Sequence, residues 1–136
     1  MYLTTQDLEM GIQEEILTVI PRNRQKAEQA ISDAVAEVRS YLCARYDMDT
    51  ELAKTGGARA PMVVKIARDI ALYNCYNISN PVNMPDSRRE AYNNAISYLK
   101  SVQSERASIE GLVRLNESSG SNYVSYGGNN KKTFQY

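Results

Sequence analysis

Histidine and tryptophan are absent from this chain of 136 residues, and phenylalanine occurs once, at Phe134. Without histidine the commonest general base near neutral pH and the commonest transition-metal ligand are missing. Cysteine is scarce. Cys43 and Cys75 each fall inside a helical pattern and are expected to be reduced, buried, small hydrophobes rather than a disulfide. Net charge is zero, sixteen basic against sixteen acidic residues, which argues against a dedicated nucleic-acid binder, whose affinity rests on excess Lys and Arg. Apolar runs are only a few residues long, too short for a membrane span. The N-terminus is acidic where a signal peptide would be basic, so a soluble product made in the cytoplasm is expected.

Helical periodicity fills most of what is there, and the expected fold is all-α, a small antiparallel bundle of about four helices over residues 1–115. Thr4 or Thr5 can cap a short first helix carrying Asp7 and Glu9. A second apolar patch, Ile12, Ile16, Leu17 and Ile20, runs into Pro21. From Asn23 to about Tyr46 the apolar residues Ala27, Ala30, Ile31, Ala34, Val35, Val38, Tyr41, Leu42 and Tyr46 recur in steps of three and four, one buried stripe. Residues 47–60 lack a sustained period and carry Gly56-Gly57, which predicts a loop. Pro61 suits the first position of a third helix reaching to about Asn77, with an apolar arc wide enough for a central place in the bundle. Ser87 and Glu90 have capping-box spacing, predicting a fourth helix from near Ser87 to about Gln103. Ile109, Leu112, Val113 and Leu115 then close the core.

Residues 116–136 are different: Ser, Gly and Asn dominate, Val124 is the one aliphatic residue, and Tyr123, Tyr126, Phe134 and Tyr136 stand without a stripe. Such a segment cannot bury enough of its own surface to offset its ordering entropy. Tyrosine, however, gives large contact area with few rotors lost. Extended, this segment could reach roughly 70 Å, beyond the radius of its own domain. It is expected to be an arm that docks on a neighbour.

No catalytic set emerges, and neither a cofactor nor a metal is expected. Lys54-Thr55-Gly56-Gly57 lacks the first glycine and the spacing of a phosphate loop. Asp47, Asp49 and Glu51 alternate as in a calcium loop but lack its glycine and its final glutamate. Charge is separated along the chain instead. Residues 1–20 carry Asp7, Glu9, Glu14 and Glu15 and no base; Lys54, Arg59, Lys65 and Arg68 form a block with no acid among them. A head-to-tail contact between identical subunits would set one block against the other and close into a ring. Pairing within one subunit, or exposure to water, is the plainer alternative. A small helical nucleic-acid-binding protein, with Arg59, Lys65 and Arg68 on phosphates, is the runner-up function.

Tyr2-Leu3-Thr4 with Asp7-Leu8, then Ile31-Ser32-Asp33-Ala34 through Glu37-Val38 to Tyr41-Leu42 and Arg45-Tyr46, resembles the Mu-like phage and prophage family of virion proteins, similar to head–tail connectors. Val64, Ile66-Ala67, Asp69-Ile70-Ala71 and Tyr73, and later Tyr92, Ala95-Ile96 and Leu99, extend the likeness over residues 1–112. The resemblance implies a structural virion protein, not an enzyme. It would form a homo-oligomeric ring, dodecameric if it follows portal symmetry, and join the portal protein to further neck or tail proteins. It would touch DNA in the channel without sequence preference.

Overall fold

Alanine and branched residues at three- and four-residue steps wind Arg24–Leu42 into a long helix, and a second run does the same for Pro61–Ser79. The computed structural model describes residues 1–10, 24–79, 82 and 84–115. Within them lie α1 (Thr5–Met10), α2 (Arg24–Leu42), α3 (Met48–Leu52), a 3-10 turn at Gly56–Ala58, α4 (Pro61–Ser79) and α5 (Asp86–Gln103). No strand occurs among the described residues; a single antiparallel bridge joins Tyr46 to Arg114. The all-α bundle expected from periodicity is the observed fold.

α4 is its centre, packing on α1, α2 and α5. Val63, Ile66, Ala67, Ile70, Ala71, Leu72 and Cys75 are all buried, so the helix is covered round much of its girdle, as its wide apolar arc predicts. Against it α2 places Ala30, Ile31, Ala34, Val38 and Leu42, and α5 places Ala95, Leu99 and Val102. Small residues on α2 let the two long helices approach, and Asn74 donates across that seam to the Ala30 carbonyl at 3.1 Å.

Several boundaries differ from expectation. α2 ends at Leu42, not near Tyr46: Arg45 and Tyr46 both donate backbone N–H to the Leu42 carbonyl, at 3.1 and 3.0 Å, and the chain turns away. Tyr46 still reaches the core because a four-residue step keeps it on the buried side, and its hydroxyl accepts the Ile109 N–H at 3.1 Å. The 47–60 stretch contains α3, started by Asp47, whose Oδ1 accepts the Thr50 N–H at 3.2 Å. α5 begins at Asp86 after Pro85, with no side-chain cap, so the Ser87–Glu90 box does not form. Ile109 is buried and Leu112 packs on the core, but Val113 and Leu115 are largely exposed. Cys75 is buried and its thiol is pushed up to about 11 by that burial, whereas Cys43, expected inside, is exposed; both are free. The patch at 12–20 and the arm at 116–136 lie outside the described residues.

The end of α5 is closed by a left-handed residue. Glu105 has φ 68°, Arg106 N–H reaches the Ser101 carbonyl at 2.8 Å and Glu105 N–H the Val102 carbonyl at 3.1 Å, the double bond pattern of a Schellman cap. Arg45 reinforces it, donating from Nη1 to the Val102 and Ala107 carbonyls.

Candidate assembly interface

The N-terminal ten residues are fastened to the bundle by apolar anchors first. Leu3 and Leu8 are fully buried, and roughly 1.5–3 kcal/mol for each such side chain exceeds the roughly 0.5–1.5 kcal/mol of an ordinary neutral hydrogen bond. Thr4 caps α1 reciprocally: Asp7 N–H donates to Thr4 Oγ1 at 3.3 Å and Thr4 N–H to Asp7 Oδ2 at 2.9 Å.

A polar cluster then fixes the register. Arg59, just ahead of α4, grips Asp7 with both terminal nitrogens, at 2.8 Å to Oδ2 and 3.2 Å to Oδ1. It also donates to the Tyr2 carbonyl at 2.7 Å and, from Nε, to the Gly56 carbonyl at 2.8 Å. Its guanidinium carbon lies 5.8 Å from the Tyr2 ring centroid. Hydrogen bonds from Arg59 hold the Asp7 carboxyl down to about 2, against an ordinary 3.8, and the pairing raises the guanidinium in turn. Behind them Glu51, 2% exposed, accepts from the Tyr2 hydroxyl at 2.6 Å and the Ala60 N–H at 2.7 Å through Oε2. Lys54 Nζ lies 3.2 Å from Glu51 Oε1, an ion pair without hydrogen-bond alignment, since that oxygen accepts no hydrogen bond. Burial, then Glu51, drives the Tyr2 phenol well above its usual range.

The two charge blocks of the sequence therefore meet inside one chain at Asp7 and Arg59, the intrachain alternative. Lys54 belongs to the same cluster through Glu51, and Gly56 supplies both an acceptor carbonyl and a left-handed φ of 60°. Gly57 is exposed with open space around it. Lys65 pairs with Asp69 along α4 at 3.3 Å, and Arg88 approaches the same carboxylate at 3.7 Å. Arg68 is half-buried and has no ion pair among the described residues; Glu9 is exposed and likewise unpaired there. Glu14, Glu15, Tyr123, Val124, Tyr126, Phe134 and Tyr136 lie outside the described residues.

A second cluster has no signature of its own in the sequence, where Tyr41, Tyr73 and Tyr92 look like ordinary rim-of-core residues. Tyr73 of α4 and Tyr92 of α5 stack with centroids 4.0 Å apart and planes 16° off parallel. The Tyr92 hydroxyl donates to Glu37 Oε2 of α2 at 3.3 Å. Burial, then the charge of Glu37, raises the Tyr92 phenol, with Tyr73 and Tyr41 adding smaller effects. Glu37, Tyr41, Tyr73 and Tyr92 are all half-buried, so each keeps a solvent-facing edge. The four-residue step from Glu37 to Tyr41 is the sequence signal for a shared helix face, but nothing in it names the partners on α4 and α5.

Among the described residues no group of three or more His, Cys, Asp or Glu side chains could hold a metal ion, and no helix is long and apolar enough to cross a membrane. No curated protein matches the chain. The family described as Bacteriophage Mu, Gp36 matches residues 2–124, from the anchored N-terminus through the helical core and past the reach of the motif likeness at residue 112, and the chain belongs to that family.

Proposed function

We propose that this phage protein is a structural component of the virion, a head–tail connector that assembles as a ring between the portal and the tail. Membership of the Mu Gp36 family over residues 2–124 is the observation that carries the reading. The architecture supports it. A small helical core takes its last described contributions from Ile109 and Leu112, and the chain continues well past them with an arm poor in aliphatic residues and rich in tyrosine. Its partners are further copies of itself, the portal protein, and neck or tail proteins, with non-specific contact to DNA in the channel. No enzymatic activity is assigned to it.

Deletion of residues 116–136 tests this. The helical circular dichroism of the core is expected to survive, while assembled particles disappear from electron micrographs of infected or induced cells. Normal particle numbers with the truncated chain would remove the arm from assembly.

A nucleic-acid-binding role finds less support. Arg59, Lys54 and Lys65 each have a carboxylate partner within the chain, so phosphates would have to compete for them.

A further inference from the structure

We propose that the basic, aromatic end of the C-terminal arm, Lys131-Lys132 through Phe134 to Tyr136, docks on the face that Glu37, Tyr41, Tyr73 and Tyr92 form across α2, α4 and α5 of a second copy. The docking rests on the reading of residues 116–136 as an intersubunit arm and names the surface that the arm meets.

Glu37 sets the chemistry of that face. Among the half-buried or buried carboxylates, Asp7, Glu51 and Asp69 have a cation within the chain, in Arg59, Lys54, and Lys65 with Arg88, and both oxygens of Asp47 are taken up by Thr50 in the cap of α3. Glu37 has only a phenol, 3.3 Å away, and no ion-pair partner among the described residues. A half-buried carboxylate bonded only to a tyrosine hydroxyl, beside a stacked tyrosine pair, suits an ammonium group through charge. The arm supplies that group. Lys131 and Lys132 are the only basic residues after Arg114.

Spacing fits as well. In an extended segment alternate side chains share a face, so Lys132, Phe134 and Tyr136 would point the same way: one cation and two rings. The receiving face offers one carboxylate and three rings. Reach is ample, since residues 116–132 can span roughly 55 Å, whereas a domain of this size has a radius of gyration of about 13 Å. That reach covers a neighbouring copy in a ring as well as the chain's own domain, and isotope-mixed copies tell the two apart.

Full-length heavy and light isotope-labelled copies, mixed and treated with a zero-length carbodiimide cross-linker, would show where the arm lands. A heavy–light cross-link from Lys131 or Lys132 to Glu37 is the expected product. In parallel, Glu37→Gln should weaken self-association by about tenfold with helical circular dichroism unchanged. Glu37→Lys should abolish it, and combining Glu37→Lys with Lys131→Glu and Lys132→Glu should restore it. Wild-type assembly by Glu37→Gln and Glu37→Lys overturns the proposal. So do heavy–light cross-links landing on another surface, or cross-links only to a different protein, although both leave the arm itself standing. A monomer with no heavy–light cross-link overturns the arm and its docking face together.

Discussion

Arg59 touches four things at once: the Asp7 carboxylate, the carbonyls of Tyr2 and Gly56, and the face of the Tyr2 ring. Asp7 and Arg59 are each legible in the sequence as charged candidates, but their pairing is not, because 52 positions separate them and local spacing carries no information at that range. The pair's contribution depends on pH with a definite sign. The Asp7 carboxyl sits at about 2 when folded against 3.8 when unfolded, so the unfolded chain takes up the proton first as pH falls. Stability from this group is whole above about pH 4 and is lost between there and about pH 2. Urea unfolding across that window should show a steep acid limb that Asp7→Asn flattens. The apolar anchor beside it matters more: Leu8→Ala, emptying a fully buried site, should cost about 2–5 kcal/mol at pH 7, more than Asp7→Asn.

The helices divide by length into what periodicity reveals and what it does not. α2 and α4, nineteen residues each, show several turns of one stripe, and their existence and buried faces follow from it. α3 has five residues, too few to display a period, and only the Asp47–Thr50 capping contact marks its start. At α5 the Ser87–Glu90 spacing suggests a cap, yet Pro85 and Asp86 start the helix earlier, proline fixing the entry through its own backbone. The other end of α5 offers a stabilising change. Glu105 holds a left-handed φ of 68°, a conformation that costs a residue with a Cβ about 1 kcal/mol. Glu105→Gly should therefore raise stability by up to about 1 kcal/mol, read as a higher urea midpoint with an unchanged slope. Arg45→Ala, removing the donor to the Val102 and Ala107 carbonyls, should move the midpoint the other way.

At the scale of the molecule, charge is balanced both in total and in place: three of the four cations in the basic block have carboxylate partners within the chain. Binding to duplex DNA should accordingly be weak, and the slope of its logarithm against that of salt should be shallow, near that of one or two phosphates. Fluorescence anisotropy over a salt series measures it; a slope of several phosphates would favour the nucleic-acid reading. The sequence shows where charge is concentrated but not which side chains neutralise one another, since that is decided by how α1, the 3-10 turn and α4 come together. The Glu37–tyrosine face stayed hidden for the same reason: its members come from three helices and look like rim packing one at a time.

The two thiols differ in a way that is useful at the bench. Cys75 is sealed in the core with its proton held tightly, whereas Cys43 opens to solvent just beyond α2. A maleimide dye at neutral pH should therefore attach at one defined address on the unmutated chain. Energy transfer between donor- and acceptor-labelled copies could then report whether copies associate, with no engineered cysteine to disturb them.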